Sequence, residues 1–554
     1  MRSRSARSWV FVVLMCALAA GCGGGGGGGG SPPPPPPPAT FSVGVTVNGL
    51  FGTGLVLENN GGNALTVNAN GAATFTTALA SGTAYNVTVR TQPTATPAQT
   101  CTVASGTGTV ASAAVTGIAV SCRAQAGRFL YVPVAGTVPT ANAVAGFTID
   151  ASTGALTSMG VPFATTGQAP RTLFKDPTGK FLYVYGDDDL NAAGPTTLTG
   201  FAVNAQTGAL TPILGLVTVN ATMPAPPVFH PSGNFVYLVV SDPGLSANNT
   251  LRGFSIDATT GALTPIPAAV WGPIQSFEVL SSAVVNPNGS SLYLASYIPS
   301  VPPAPPAPPV PPTARITEIV VNLQTGAFSP LAASEVTAAG MIFYQLAMHP
   351  AGTHMYTRNG GPVGSLTSRF TLDGPSGLIG ARTDFPTAAG FGVVLAPSSR
   401  VYFLELGGFL GPPATPAPGN VVGYVDSATG APSALTGTRW PTGGDNPLSI
   451  TIDPTRRYVA MTNTGTRTVT VMKIDAAQGS LTSVAGSPYT PTVGTLPGSV
   501  AYDPSGRFAY LPAGSPASVS SYAIDVDTGV PTFVDSESLL GAPGFAQAAI
   551  FGLQ

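Results

Sequence analysis

Short runs in which apolar and polar residues alternate fill the segment from Phe41 to Cys122. They read FSVGVTVNG, TGLVLENN, NALTVNAN, AATFTTAL, AYNVTVRT, TCTVAS and GIAVSC. A period of two places one face of a strand against a core and the other in water, and Gly or Asn turns separate the runs. The pattern predicts a small β-sandwich of about seven strands over residues 41–122.

A second pattern repeats eight times between Ala126 and the C-terminus. Each copy has Asp or Asn followed four residues later by Gly, as in FTIDASTGALT and FAVNAQTGALT. The glycines are Gly154, Gly208, Gly261, Gly326, Gly377, Gly430, Gly479 and Gly529. A fixed period of about 50 residues indicates a repeat architecture. The Gly of T-G-A-L supplies the positive φ that a hairpin turn requires.

The other half of each unit is an Asp-Pro-x-Gly turn that leads into an aromatic strand. Clear copies are KDPTGKFLYV, from Lys175, and YDPSGRFAYL, from Tyr502. Pro presets φ, Asp bonds the backbone and Gly closes the turn. Four short strands per unit predict an all-β chain with a C-terminal β-propeller over residues 126–554. The count gives eight blades, and seven is the alternative if the irregular unit near Gly377 or Ser398 forms no full blade.

The first unit lacks its innermost strand. The C-terminal segment FAQAAIFGLQ is expected to supply it. Such pairing would join the two ends of the ring and remove open strand edges.

Composition agrees with this fold and excludes one class of partner. Charged residues are 8 % and hydrophobic residues 44 %, with 69 Gly and 56 Pro. This is a turn-rich, low-charge composition. The net charge of −2 gives no electrostatic affinity for nucleic acid, so no nucleic-acid partner is expected.

The N-terminus reads MRSRSARSWVFVVLMCALAAGC, in which arginines precede an apolar stretch too short to span a bilayer. This order predicts a signal peptide over residues 1–21. Its end, LAAGC, resembles a bacterial lipobox, which implies a lipid anchor on Cys22; an ordinary signal peptide with an accidental Cys is the alternative. Gly23 then implies, by resemblance to Gram-negative lipoproteins, the outer membrane. Residues 22–40 hold Gly and Pro runs that predict a tether.

The four cysteines divide by their place in the chain. Cys16 lies in the signal peptide and Cys22 takes lipid, so Cys101 and Cys122 are left to form a disulfide in an oxidising envelope. A redox or metal-binding pair is the alternative, although no His or third Cys lies nearby. The sandwich resembles immunoglobulin-like modules of bacterial surface proteins, which implies a spacer or adhesion role.

The alternation of D-P-x-G-x-F-x-Y-V with I-D-x-x-T-G-A-L resembles the lactonase-type propeller family, which includes 6-phosphogluconolactonase and carboxymuconate cyclase relatives. The resemblance covers residues from Gly127 to Gln554. It implies a propeller, commonly of seven blades, and hydrolysis of a lactone. Family members often begin the inner strand with G-x-x-P-R-H. Here GQAPRTLF keeps the Arg as Arg171, and none of the matching places keeps the His.

Few side chains are candidates for catalysis. Lactone hydrolysis needs a base or metal to activate water and a cation to stabilise the oxyanion. The candidates are Arg171, Glu278, Glu405 and Asp445. In addition, Asp187, Asp188 and Asp189 form an acidic loop that could hold Ca²⁺ through oxygen ligands, although a solvated loop is the commoner outcome. No other cofactor is predicted.

The three histidines are expected to be structural or solvated. His230 and His349 replace the Asp of the turn motif, and His354 is expected to be solvated at the start of a strand.

Three hypotheses of function follow. The leading one is an exported binding or scaffold module that works through propeller loops, because the structural motifs are intact and catalytic side chains are scarce. The rival is a hydrolase acting on a sugar lactone, and the third is adhesion at the cell surface. The expected partners are a membrane, through the lipid anchor, and a small-molecule or envelope-protein ligand.

Overall fold

A computed structural model describes residues 38–50, 52–94, 99–124, 127–135, 142–165, 169–187, 196–213, 218–219, 227–241, 249–272, 278–299, 311–360, 366–373, 377–385, 393–396, 400–405, 418–425, 433–494, 496–514, 516–539, 542–543 and 549–552. Every regular element in these ranges is a strand, which confirms the all-β class. The described part of the chain contains no helix of the length and apolarity needed to cross a membrane. The predicted signal peptide and Cys22 lie outside these ranges.

Residues 40–124 form two four-stranded sheets and one two-stranded pair. The strands are β1 (Thr40–Phe41), β2 (Val43–Asn48), β3 (Leu55–Asn59), β4 (Asn63–Val67), β5 (Gly71–Thr74), β6 (Leu79–Ala80), β7 (Ala84–Thr91), β8 (Gln99–Ala104), β9 (Thr107–Thr109) and β10 (Val115–Ala124). The sheet orders are β5-β2-β10-β8 and β4-β3-β7-β9, and β1 pairs with β6. Alternate residues of β2, namely Val43, Val45 and Val47, are buried in one shared core. Ten strands thus replace the seven expected, and the immunoglobulin likeness stays a prediction.

The predicted disulfide is present. Cys101 and Cys122 lie opposite each other on β8 and β10, are bonded, and are buried in the core of the two sheets. Their separation of 21 residues closes a loop that contributes roughly 3 kcal/mol in the chain-entropy model.

Residues 127–552 form eight successive sheets, numbered 1 to 8 in chain order. Sheet 1 contains β11 (Gly127–Ala135), β12 (Ala143–Ile149), β13 (Leu156–Ser158), β14 (Phe163–Ala164), β44 (Ala542–Pro543) and β45 (Ala549–Gly552). Sheet 2 contains β15 (Ala169–Lys175), β16 (Phe181–Asp187), β17 (Thr196–Val203), β18 (Leu210–Pro212) and β19 (Thr218–Val219). Sheet 3 contains β20 (Val228–Phe229), β21 (Phe235–Ser241), β22 (Asn249–Ile256) and β23 (Leu263–Trp271). Sheet 4 contains β24 (Val279–Val285), β25 (Ser291–Ile298), β26 (Thr313–Val321) and β27 (Phe328–Ala339).

The remaining four sheets are also built from consecutive strands. Sheet 5 contains β28 (Ile342–Met348), β29 (His354–Gly360), β30 (Leu366–Leu372) and β31 (Ile379–Phe385). Sheet 6 contains β32 (Val393–Ala396), β33 (Arg400–Glu405), β34 (Pro418–Val425) and β35 (Ser433–Asp445). Sheet 7 contains β36 (Pro447–Ile452), β37 (Tyr458–Asn463), β38 (Thr468–Ile474) and β39 (Leu481–Ser483). Sheet 8 contains β40 (Ala501–Tyr502), β41 (Phe508–Ala513), β42 (Ser518–Ile524) and β43 (Pro531–Ser538).

The first strands of neighbouring sheets contact one another. Such contacts join β20 to β24, β24 to β28 and β32 to β36. The end of the chain provides the innermost strand of sheet 1, because β45 pairs with β11 and also contacts β40 and β15. The C-terminal strand therefore takes the place that the sequence predicts for it.

The turns of the repeat bond their own backbone. Asp257 Oδ1 accepts from the N–H groups of Thr259 and Thr260 at 3.0 and 2.7 Å. Asn204 Oδ1 accepts in the same way from the two equivalent residues, both at 2.9 Å. Asp and Asn therefore interchange at this position because each offers the same acceptor oxygen. Seven of the eight repeat glycines are described, with φ between 68° and 79°, and Gly430 lies outside the described residues.

The two halves of the repeat meet between neighbouring sheets. Phe181 of sheet 2 lies so close to Gly261 of sheet 3 that a Cβ on the glycine would be 2.5 Å from the ring. Tyr183 donates its hydroxyl to the carbonyl of Gly261 at 2.7 Å. Five tyrosines, called the latch tyrosines, make this bond to the next sheet: Tyr131, Tyr183, Tyr237, Tyr293 and Tyr402. Burial raises the pKa of Tyr293 and of Tyr402 to about 12, so both hydroxyls remain protonated donors.

Sheet 8 packs against sheet 1 through the same contact. A Cβ on Gly154 would lie 2.3 Å from the ring of Phe508. Arg507 donates to the carbonyls of Ala151 and Ser152 at 3.3 and 3.2 Å. The row of sheets is therefore closed into a ring, which is a β-propeller. The described residues include eight sheets in this ring, and the number of blades in the whole chain stays a prediction.

The ring has two faces. Strands alternate in direction, so the Asp-Pro-x-Gly and T-G-A-L turns lie on one face, called the turn face. The connections from second to third strand and from one sheet to the next lie on the other, called the connection face.

His230 has the structural role that the sequence predicts, whereas His354 is not solvated as expected. His230 has a structural role, since its Nε2 contacts the carbonyl of Gly289 in the next sheet at 3.1 Å. His354 is only 3 % exposed and stacks on His349 with ring centroids 5.1 Å apart. The expectation that His354 is solvated is therefore wrong, because its strand position faces a neighbouring aromatic ring rather than water.

Candidate functional site

A polar residue stands near the connection-face end of the second strand in four neighbouring sheets. These residues are Ser296, Asn359, Glu405 and Asn463, in sheets 4 to 7, and each is at most 2 % exposed. The corresponding residues in sheets 8, 1, 2 and 3 are Ala513, Val134, Gly186 and Val240. Buried polar groups require partners. Sheets 4 to 7, called the polar sector, are therefore the part of the described ring in which we look for a catalytic or binding site.

Sheet 4 encloses one guanidinium between two carboxylates. Arg315 Nη1 lies 3.4 Å from Oε2 of Glu278, and its Nε lies 3.0 Å from Oε1 of Glu335. Ser296 Oγ donates to Oε1 of Glu278 at 2.5 Å. The side chains of Arg315 and Glu278 are 7 % and 2 % exposed, so a ligand does not reach this cation. The cluster is a paired buried network that holds the strands of sheet 4 together.

Sheet 6 holds a cation in a different way. Arg439 Nη2 donates to Oε1 of Glu405 at 2.7 Å, and the two side chains are 56 % and 3 % exposed. The hydrogen bond to Glu405 and the charge of that carboxylate raise the pKa of Arg439, which therefore stays cationic. One nitrogen is fixed by the buried carboxylate, and the other N–H groups of this half-exposed guanidinium can bind an anionic group.

Asp445 lies in the same sheet, at the end of β35. It pairs with Pro418, whereas Glu405 pairs with Asn420. Glu405 lies on β33 and Asp445 on β35, the two strands that flank β34, so their backbones are two strand spacings apart, about 10 Å, and are also offset by two positions along β34. The backbone N–H of Asp445 donates to Thr466 Oγ1 at 3.2 Å. Its side chain is half-buried. Sheet 6 therefore contains two predicted candidates, Glu405 and Asp445, and pairs the first of them with Arg439, which the sequence pattern does not single out.

The neighbouring sheets contribute paired groups. In sheet 5, Arg382 bonds both oxygens of Asp384, at 2.7 and 2.8 Å, and Ser368 donates to the same carboxylate. In sheet 7, Asn463 donates to Thr470 at 2.9 Å. Among the described residues of the sector, sheet 6 is thus where a cation is both anchored and half-exposed.

The other predicted site residues are not brought to this place. Glu278 lies two sheets away and pairs with Arg315. Arg171 lies on β15 of sheet 2, and Asp187 ends β16; their side chains are outside the described part of the structure, as are Asp188 and Asp189 altogether. The described residues contain no group of three His, Cys, Asp or Glu side chains placed to hold a metal. Ca²⁺ binding at the acidic loop stays a prediction.

One family model matches the chain. It is described as "Lactonase, 7-bladed beta-propeller", and it matches residues 86–225 and 450–547. No curated protein sequence matches.

Several solved structures are similar to this one. The periplasmic gluconolactonase PpgL of Pseudomonas aeruginosa is 14 % identical, covers 77 % of this chain and 100 % of its own, and gives a TM-score of 0.45. A protein from Lactobacillus plantarum is 16 % identical, with 77 % and 99 % coverage and a TM-score of 0.45. The hydrazine synthase of Kuenenia stuttgartiensis is 16 % identical, with 67 % and 99 % coverage and a TM-score of 0.42. The family match falls on both ends of the repeat, and the repeat closes into a ring, so this chain carries a β-propeller that is similar to the lactonase-type propeller family.

Proposed function

We propose that this chain is a lactonase-type hydrolase that opens a lactone or similar ester on the connection face of sheet 6. The observation that carries the proposal is the Glu405–Arg439 pair, in which a buried carboxylate anchors a half-exposed guanidinium. Ester hydrolysis places negative charge on the carbonyl oxygen in the transition state. A cation that is fixed in place before the reaction stabilises that charge without reorganising.

The proposed steps use residues of one sheet. The carbonyl oxygen of the lactone accepts hydrogen bonds from Arg439. Asp445, the half-buried acid of the same sheet, takes a proton from the attacking water. The water oxygen bonds to the carbonyl carbon, the ring C–O bond breaks, and the proton passes to the leaving oxygen, so the product is a hydroxy acid. Glu405 acts as a positioning residue, because it contacts Arg439 rather than substrate.

The test is hydrolysis of a panel of sugar lactones and aliphatic lactones by the full chain. We expect Arg439→Ala to lower kcat/KM by roughly 100-fold or more, as removal of an oxyanion donor does in other hydrolases. Asp445→Asn should lower kcat with little change in KM. Glu405→Gln should have a smaller effect, since the amide still accepts the Arg439 hydrogen bond.

Two controls separate this site from general damage. Arg90 is an exposed arginine of β7 in the sandwich, and Arg90→Ala should leave kcat/KM unchanged. Arg315→Lys should reduce stability while the folded fraction keeps its activity. No turnover across the panel by folded wild-type chain would contradict the proposal and favour the binding-module or adhesion hypothesis.

We also propose that the protein acts in the cell envelope as a lipoprotein, which the LAAGC segment supports. Metabolic labelling with palmitate should mark the wild-type protein and not the Cys22→Ala variant. Equal labelling of the two would contradict the anchor.

A further inference from the structure

A cleft of about 900 Å³ lies between the sandwich and the turn face of sheets 7 and 8. Its charged lining residues are Arg123, Arg456, Arg457, Arg507, Asp453 and Asp527. The whole chain has only 21 basic residues, so four of them in one cleft is a strong concentration of positive charge. The volume is within the range of small-molecule binding sites.

Arg456 occupies a backbone position that normally requires glycine. Its φ is 57°, and its N–H bonds the carbonyl of Asp453 at 2.8 Å, closing the Asp-Pro-x-Gly turn of sheet 7. The same place is Gly179, Gly233, Gly289, Gly352 and Gly506 in other sheets, with φ between 68° and 79°. A side chain in the left-handed region costs conformational free energy, and such outliers concentrate at functional sites. In sheet 7 the residue in this unfavourable backbone conformation is an arginine that lines the cleft.

The arginines are not neutralised by the acids that share the cleft. Arg123 and Arg456 are exposed, and within the described residues neither side chain makes a hydrogen bond or ion pair. Asp453 is 2 % exposed, and its oxygens accept from the N–H groups of its own turn, including Arg457 and Tyr458. Asp527 is 90 % exposed and 3.9 Å from Arg457, which is a weak, screened pair. Four cations face two acids, so the cleft is positive by two charges.

We propose that this cleft binds a small molecule that carries two or more carboxylate or phosphate groups. Guanidinium groups bind both of these planar or tetrahedral anions through paired N–H groups. The site is on the face opposite the polar sector, so it does not depend on the proposed hydrolysis.

The test is calorimetric titration of the full chain with citrate and, separately, with pyrophosphate, at 20 and 150 mM NaCl. We expect a Kd below about 1 mM at low salt for at least one anion and weaker binding at high salt. The anion with the lower Kd shows whether the cleft prefers carboxylate or phosphate groups. Arg456→Gly restores the residue of the other turns, so it should fold at least as stably while weakening binding tenfold or more.

Arg467→Gly is the matched control, since Arg467 also has a positive φ, 58°, and does not line the cleft. It should bind the anion within twofold of wild type, and Arg456→Gly should keep the lactone hydrolysis rate of wild type. The proposal is overturned if neither anion binds the wild-type chain, if Arg456→Gly binds as wild type does, or if both glycine variants lose affinity equally.

Discussion

The repeat glycine meets two requirements at one residue. Gly261 has a φ of 73°, and its missing Cβ leaves room for the ring of Phe181 from the preceding sheet. The backbone conformation alone disfavours other residues, and the contact excludes a side chain in addition. The sequence pattern shows the first requirement as a turn, whereas the second becomes visible only when two sheets are packed together.

Gly261→Ala is therefore expected to lower the free energy of unfolding by about 2 to 4 kcal/mol, from the left-handed φ together with overpacking. The comparison is Gly61→Ala, where φ is 70° and a Cβ would meet no atom within 4 Å. That variant should cost about 1 kcal/mol. Denaturant unfolding of both variants measures the difference, and equal losses would show that the sheet contact contributes nothing.

The acids of the T-G-A-L turns make stability depend on pH. Backbone and side-chain hydrogen bonds from Thr260, with a backbone bond from Thr259, lower the pKa of Asp257. A lowered folded-state pKa means that the stabilising contribution is present above the unfolded value, about 4, and is lost as the pH falls below it. Asn204 and Asn322 accept the same two backbone N–H bonds without titrating.

Asp257→Asn should therefore keep the wild-type Tm at pH 7 and become more stable than wild type at pH 2.5. Thermal unfolding at the two pH values measures this reversal. A variant that is less stable than wild type at pH 2.5 would contradict the assignment of acid sensitivity to this turn.

At the scale of elements, each of the five latch tyrosines couples its own sheet to the next. Tyr183→Phe removes one buried hydrogen bond and leaves the carbonyl of Gly261 unpaired, so it should cost about 1 to 2 kcal/mol. Tyr510 is buried at the matching place in sheet 8, but its hydroxyl has no hydrogen-bond partner among the described residues. Tyr510→Phe should therefore be neutral or stabilising. Urea unfolding of the pair tests this, and a similar loss in both would mean that ring packing, rather than the hydroxyl, joins the sheets.

The strands and turns were predictable because their signals are local. Asp, Pro and Gly at fixed spacing define each turn whatever lies beside it, and the alternation of β2 sets its buried face. The polar sector was not predictable in this way. Glu405 and Asp445 are candidates from the sequence because lactone hydrolysis needs a base and few carboxylates occur in the chain, whereas nothing in the sequence singles out Arg439, whose partner is 34 residues away. A polar residue three positions after a repeated Tyr, as at Glu405, is the signal that an aligned repeat would have offered.

At the scale of the whole molecule, the ring is closed by its two ends. β44 and β45 pair with β11, and without them β11 presents an open edge. Deletion of residues 540–554 should lower Tm by at least about 5 °C and promote aggregation, whereas deletion of residues 553–554 alone, beyond β45, should change neither. Thermal unfolding and size-exclusion chromatography measure the two effects. Equal behaviour of the two truncations would contradict closure by the C-terminal strands.

The family match leaves out the middle of the ring. It covers residues 86–225 and 450–547, whereas Glu278, Glu405, Arg439 and Asp445 all lie between these segments. The similarity to the family therefore concerns the fold at the two ends of the repeat. The candidate site rests instead on the geometry of sheet 6, and its chemistry has to be tested on this chain itself.

A crystal structure of the full chain with the hydroxy-acid product of the best lactone substrate would locate the reaction site directly. We expect the product carboxylate to contact Arg439 on the connection face of sheet 6, with Glu405 still bonded to the guanidinium. Product bound elsewhere on the ring, with Arg439 remaining in contact with solvent, would contradict the assignment of the reaction to this sheet.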